Sequence, residues 1–184
     1  LAFLDNIIKH HPDFNQFAGV SVQIPKTVVL CTDVFDRFME QNNLYQIALS
    51  DASDEEILQH FLQAQLPDEF IADFYAFFEA IQSPIAIRSS SLLEDAHYQP
   101  FAGIYSTYMI PYVDNEDQML RLLLKAVKSV YASVYFAASR AYIQSSQNLI
   151  SEEKMAVIIQ EVCGTEQDGP VSYTHLTLPT NSLV

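Results

Sequence analysis

The sequence predicts an α/β (α+β) domain in which helices cover a mixed sheet. Amphipathic segments, with apolar residues three and four positions apart, alternate along the chain with short runs rich in β-branched residues. Hydrophobic residues make up 49% of the 184 residues and aromatic residues 12%, which is typical of a globular chain. A chain of this length can bury a substantial core, so we expect one sizeable domain.

The helices are predicted from apolar spacing and from capping residues. Residues 1–11 form the first, with basic residues before Pro12, and we expect its start to be missing because Leu1 already follows the helical spacing. Thr32 or Asp33 caps a helix over 34–41, and Ser53 begins one over 51–64. Two more are predicted over 69–81, with a core-facing aromatic stripe, and over 114–145, capped by Asp114-Asn115 and with one break.

The strands are predicted from β-branched runs. They cover 20–32, a run that starts at Ile85, 104–110 and 154–163. The run Ile85-Ala86-Ile87 should lift Arg88 onto the end of its strand, where three serines follow. We therefore expect a polar loop between this strand and the next, with Arg88 at its base.

Two interpretations of this central stretch are open. One is a β-hairpin whose polar connection has only a structural role. The other is a phosphate site: the Arg88 guanidinium is a planar set of donors that matches phosphate oxygens, and the Gly103 N–H and the Thr107 hydroxyl would complete the site. The adjacent Glu94 and Asp95 are more typical of solvated surface than of metal ligands.

The motifs in and around this stretch resemble those of a known family. The pattern Arg88-Ser89-Ser90, then Glu94-Asp95, Phe101-Ala102-Gly103 and Thr107 resembles the N-terminal nucleotide-binding domain of phosphoenolpyruvate synthase, pyruvate phosphate dikinase and rifampin phosphotransferase. The resemblance implies a partial ATP-grasp-like domain over residues 1–170. The sequence departs from the family pattern at Ser91-Leu92-Leu93 and at Ile104-Tyr105-Ser106, and both departures concern the chemistry of the loop.

The resemblance also implies roles for four residues. Arg88 would grip the nucleotide phosphates and stabilise the charge that builds during transfer, which makes it the expected catalytic residue. Gly103 and Thr107 would close over the phosphates. Gln160 matches a family glutamine near the nucleotide and would hold the base or ribose side, although a polar surface residue at a strand end is the structural alternative.

In the intact enzymes of that family, phosphate passes from ATP to a histidine on a swivelling domain and then to pyruvate or another acceptor. None of the five histidines here lies in the family's phosphohistidine motif. We therefore expect ATP as the ligand, the Mg²⁺ ligands outside this chain, and downstream phosphohistidine and pyruvate-binding domains of a parent protein as partners. Alone, the chain should be inactive. The alternative is a non-catalytic nucleotide-sensing or structural domain, and a parent gene without a swivelling segment and a terminal barrel would favour it.

Charge and hydropathy exclude other partners. A formal net charge of −14 with only 9 Lys and Arg argues against nucleic acid, which clustered cations bind. We expect a cytoplasmic protein with no membrane contact, since no apolar run approaches the roughly 20 residues needed to span a bilayer and no signal peptide is recognisable. Cys31 and Cys163 are expected to be buried free thiols, and Arg140 to face solvent with Lys125 and Lys128.

The last segment, 171–184, is predicted to be a non-native tail. Its residues 171–180, VSYTHLTLPT, match the translation of a transposon-based sequencing-library adapter. An ordinary threonine-rich tail is the alternative. Such a segment is best left out of reasoning about the fold.

Overall fold

The computed structural model of the chain describes residues 2–11, 24–91, 105–145, 150 and 153–163. Its helices and strands follow the predicted order, with one addition, the short helix α3, which was not predicted. The helices are α1 (Ala2–His10), α2 (Thr32–Gln41), α3 (Tyr45–Ala48), α4 (Asp54–Gln63), α5 (Ile71–Ala80, preceded by the 3₁₀ turn Asp68–Phe70), α6 (Glu116–Ser133) and α7 (Ala137–Ser145). The strands are β1 (Thr27–Leu30), β2 (Ile85–Ser91), β3 (Tyr108–Ile110) and β4 (Met155–Glu161). The predicted tail, 171–184, lies outside the described residues.

The four strands form one sheet in the order β1-β4-β2-β3. The α+β class is confirmed. A mixed sheet was expected, and among the described strands every pairing is antiparallel. The order of helices and strands along the sequence does not determine whether two paired strands run parallel or antiparallel. That depends on where each connection brings the chain back to the sheet. The last strand, β4, lies in the interior of the sheet between β1 and β2.

One face of the sheet packs against helices α2 and α6, and this contact is the centre of the core. Side chains alternate along each strand, so every second residue turns inward. The inward residues that are buried include Leu30, Ile85, Ile87, Ser91, Ile110, Met155, Val157 and Ile159. Helices α4 and α5 pack on α6, which gives the helices a second layer.

An aromatic cluster fills the space between the helices. Phe38 lies 6.0 Å from Phe61 and 5.4 Å from Tyr131, ring centroid to ring centroid, and Tyr135 lies 5.9 Å from Phe61. Centroid separations in this range are those at which aromatic pairs attract. The predicted aromatic stripe of α5 also belongs to the core, as its residues Phe74, Phe77 and Phe78 are buried.

The helix starts confirm two of the three predicted caps. Ser53 forms a capping box with Glu56 at the start of α4, and the Asn115 side chain accepts a hydrogen bond from the Gln118 N–H at the start of α6. The cap predicted at Thr32 or Asp33 is wrong, because α2 begins at Thr32 and its N-cap is Cys31, which makes no side-chain hydrogen bond.

Two predictions about individual side chains are wrong. The two cysteines are free thiols but both are exposed, since each lies just beyond the end of a strand rather than inside it. The solvent face expected for Lys125, Lys128 and Arg140 is correct for Lys125, which is exposed, but not for the other two. Lys128 is half-buried and donates to the Leu62 carbonyl at 3.3 Å. The guanidinium of Arg140 is half-buried and donates to the carbonyls of Ser50 and Ala52, at 2.7 and 3.2 Å, because α7 packs beside the connection from α3 to α4.

None of the helices in the described ranges of the chain is long and apolar enough to cross a membrane.

Candidate functional site

The candidate site lies on the outer face of the sheet, the face turned away from α2 and α6. In antiparallel pairs, directly opposed residues point to the same side. The register therefore places on this face Thr27, Val29, Ala86, Arg88, Ser90, Met109, Ala156, Ile158 and Gln160. The face combines aliphatic groups, of which Val29 and Met109 are about half exposed, with a small set of polar side chains.

Arg88 stands near the middle of this face. The prediction that it ends a strand is wrong: β2 continues through all three serines to Ser91, because their backbones pair with β4. Its neighbours two positions away on β2 are small residues: Ala86, which is buried, and Ser90, which is half-buried like Arg88 itself. Within the described part of the chain, no carboxylate or carbonyl accepts a hydrogen bond from the guanidinium.

Gln160 lies on the neighbouring strand, close to Arg88. Arg88 pairs with Ile158 and Gln160 pairs with Ala86, so the arginine and the glutamine are diagonal neighbours on one face. Such diagonals span about 7–8 Å in antiparallel sheets, a distance that one small ligand can bridge. The structure thus brings together two of the four predicted site residues. Gln160 is half-buried and is the penultimate residue of β4, so its position also fits the structural alternative of a polar residue at a strand end.

A chain of two hydrogen bonds holds the Gln160 side chain. Its Nε2 donates to Thr27 Oγ1 at 3.0 Å, and Thr27 Oγ1 donates to the Pro25 carbonyl at 2.8 Å. Because a hydroxyl has one proton, and the Pro25 carbonyl can only accept, Thr27 must accept from Gln160. The amide nitrogen of Gln160 is therefore directed towards β1. Sequence reasoning missed Thr27, although its position in a β-branched run and the alternation of strand residues placed it on this side.

Thr107 lies next to this face. It is exposed and directly precedes β3, whose first residue, Tyr108, is opposite Ile87. The same register continued by one residue would place Thr107 opposite Arg88. Gly103, Glu94 and Asp95 lie outside the described residues.

The departure from the family pattern at Tyr105 and Ser106 has a structural role. Tyr105 is buried and its hydroxyl donates to Glu153 Oε1 at 3.2 Å. The Ser106 N–H donates to Ser133 Oγ at 3.2 Å. The first bond attaches the segment before β3 to the segment before β4, and the second attaches it to the end of α6. The Tyr105 side chain and the Ser106 backbone therefore hold the start of β3 in place.

The acidic neighbour of Gln160 points the other way. Glu161 accepts from Ser83 Oγ at 2.8 Å and from the Lys26 N–H at 3.3 Å, which occupies both of its carboxylate oxygens.

No group of three or more His, Cys, Asp or Glu side chains placed to hold a metal ion occurs within the part of the chain that the structure describes. One cavity, of about 270 Å³, lies elsewhere, between the end of α5 and the start of α6. Neither Arg88 nor Gln160 lines it.

Comparison with known proteins identifies the family. The family model described as the pyruvate phosphate dikinase, AMP/ATP-binding domain matches residues 12–181. The chain is also 30% identical over 148 residues to a protein of Bacillus subtilis (strain 168) named "Uncharacterized phosphotransferase YvkC". That match covers 80% of this chain and 17% of the relative, so the chain corresponds to a small part of the longer protein. The chain belongs to the family of the AMP/ATP-binding domain of pyruvate phosphate dikinase, a family related to phosphotransfer.

Proposed function

We propose that this chain is the ATP-binding portion of a phosphoenolpyruvate synthase-like phosphotransferase. The complete protein would transfer phosphate from ATP, through a phosphohistidine on another domain, to pyruvate or a related acceptor. The family membership supports the nucleotide and the phosphotransfer. The observation that carries the assignment to this face is the position of Arg88 beside Gln160, with no described acceptor paired to the guanidinium.

The outer face suits the two ends of a nucleotide. A polyphosphate carries concentrated negative charge, and a guanidinium with free donors binds phosphate oxygens in a bidentate manner. The aliphatic side chains of Val29, Ile158 and Met109 offer a flat apolar surface for a base or ribose, and Gln160 adds hydrogen-bonding groups at its side. The polar contacts are few and fixed, as is usual for small-molecule sites.

Each residue would act by binding and orienting the nucleotide. ATP supplies the phosphoryl group when bound. Arg88 would hold the phosphates and reduce the repulsion that a nucleophile meets as it approaches them. Thr107 and Gly103 would contact the phosphates from the adjoining loop, and Gln160 would hold the base side. Mg²⁺ ligands and the phosphohistidine would be provided by other parts of the complete protein.

The first test measures ATP affinity of the complete protein with Arg88→Ala. The loss of a charged hydrogen bond is worth about 1.5–3 kcal/mol, so we expect binding about 10- to 150-fold weaker by isothermal titration calorimetry. Arg88→Lys should recover only part of the loss, because an ammonium group keeps the charge but not the planar pair of donors.

Arg121→Ala is the matched control. Arg121 is an exposed residue on α6, the helix that packs on the opposite face, and its removal changes the net charge by the same amount. Its ATP affinity should equal that of the wild type. If a folded Arg88→Ala protein binds ATP as tightly as Arg121→Ala, the assignment of the phosphate site is wrong. Tight ATP binding without any transfer to histidine would instead favour a nucleotide sensor.

A further inference from the structure

We propose that Thr27 is a positioning residue that makes the site prefer adenine to guanine, and that it acts through Gln160. The inference rests on the proposed nucleotide site and adds to it a determinant of base specificity. It follows from the two hydrogen bonds that connect Gln160, Thr27 and Pro25.

The hydroxyl of Thr27 selects one of the two orientations of the Gln160 amide. If the amide were turned over, its Oε1 would face Thr27 Oγ1, whose only proton is already donated to the Pro25 carbonyl at 2.8 Å. Either the two oxygens would face each other without a proton between them, or the hydroxyl would turn to Oε1 and leave the half-buried Pro25 carbonyl without this donor. The orientation with Nε2 towards β1 is therefore preferred even before a ligand binds.

This orientation leaves an acceptor and a donor for a ligand. Oε1 has no donor among the described residues, and Nε2 retains a second N–H. An amide that presents both groups matches adenine, which offers an amino donor beside a ring-nitrogen acceptor. The preference requires that the amide meets the edge of the base that carries N7. There adenine offers its amino donor beside N7, whereas guanine offers two acceptors, N7 and O6, so Oε1 would face another acceptor. The residue opposite Gln160 on β2 is the buried Ala86, so the half-buried amide, rather than Ala86, would contact the base.

Removal of the hydroxyl should relax the preference rather than abolish binding. With Thr27→Val, neither orientation of the amide is favoured by β1, so the amide can turn to donate to guanine. Thr27→Ser keeps the hydroxyl and should keep the preference. The phosphates would still bind at Arg88, which lies diagonally across from Gln160 on β2.

The experiment compares the affinities of ATP, GTP and inorganic triphosphate for the complete protein. We expect the wild type and Thr27→Ser to prefer ATP to GTP by about 5- to 150-fold, the range for one well-formed bidentate pair. Thr27→Val should lower that ratio at least about fivefold and leave triphosphate binding unchanged. An unchanged ATP-to-GTP ratio in Thr27→Val overturns the inference while the phosphate site stands.

Gln160→Leu provides a second route if Thr27→Val does not fold. It should lose the same preference, and the double variant should lose no more than Gln160→Leu alone, because Thr27 acts only through the glutamine. Additive losses in the double variant, or a full preference in Gln160→Leu, would overturn the inference. A wild type that binds triphosphate but shows no base preference also contradicts it. A wild type that binds neither nucleotide nor triphosphate refutes the proposed function as well.

Discussion

Replacement of Arg140 by alanine should destabilise the fold by about 1.5–3 kcal/mol. Its guanidinium donates from α7 to two carbonyls, Ser50 at 2.7 Å and Ala52 at 3.2 Å, in the connection between α3 and α4. A return contact strengthens the same junction, since Asp54 Oδ1 accepts from the Ala137 N–H at 2.8 Å. The Arg140 side chain thus connects α7 with the segment between α3 and α4 through two backbone carbonyls.

The magnitude follows from the number of bonds and from their exposure. Each charged hydrogen bond is worth about 1.5–3 kcal/mol, and two are made. The side chain is only half-buried, so water can reach the carbonyls after truncation and replace part of the lost interaction. We therefore expect the loss of roughly one bond. With a urea m-value of about 2 kcal/mol/M, the unfolding midpoint should fall by roughly 1 M.

The assay is urea unfolding followed by far-ultraviolet circular dichroism, with Lys125→Ala as the control. Lys125 is an exposed cation on α6 for which the described residues show no side-chain hydrogen bond. Its variant should unfold at the wild-type midpoint. If Arg140→Ala and Lys125→Ala unfold at the same urea concentration, the carbonyl contacts contribute nothing and Arg140 is an ordinary surface residue.

Two further predictions concern the helical layer. The Tyr135 hydroxyl is buried with no partner among the described residues, and burial, with Tyr45 and Asp36 nearby, raises the pKa of Tyr135 above 10.0. Because the folded state then keeps a proton that the unfolded state releases, the stability of the protein should fall as pH rises above about 10. Tyr135→Phe should weaken this fall and be no less stable than the wild type at pH 7. Thermal melts between pH 7 and 11 measure both effects, and a variant with the same alkaline loss of stability as the wild type would contradict the prediction. Ser53→Ala should cost about 1 kcal/mol in urea unfolding through loss of the α4 cap, whereas Ser53→Asn, which can also cap, should cost little. Equal losses in both variants would show that the cap is unimportant.

The helices could be predicted well from the sequence because their signals are local. Ser53 with Glu56, and Asn115 ahead of α6, are capping patterns that act within four residues, and both caps form. The aromatic spacing of α5 likewise predicts a single buried face, and Phe74, Phe77 and Phe78 are buried. The break between α6 and α7 was also expected within 114–145. Local pattern and tertiary packing agree in these elements.

Features that depend on distant contacts could not be predicted. Ser89, Ser90 and Ser91 have the polarity of a loop, yet they are part of β2 because β4 supplies hydrogen-bonding partners along their whole length. Serine has no strong strand preference, so the neighbouring strand decides. The contacts of Arg140 with Ser50 and Ala52 likewise require knowledge of where α7 packs. Spacing along the chain carries no such information.

The position of the candidate site is itself a consequence of the hydrophobic pattern. Ile85 and Ile87 on β2, and Val157 and Ile159 on β4, are completely buried against the helices. Since side chains alternate along a strand, burial of these residues turns Arg88 and Gln160 to the outer face. A shift of one residue in either strand would bury a guanidinium or an amide in the aliphatic core, which is far more costly than the loss of a few contacts. The apolar residues that stabilise the sheet thus also select the register that places the arginine beside the glutamine. The two proposed ligand-binding side chains are therefore placed by the folding of the sheet itself.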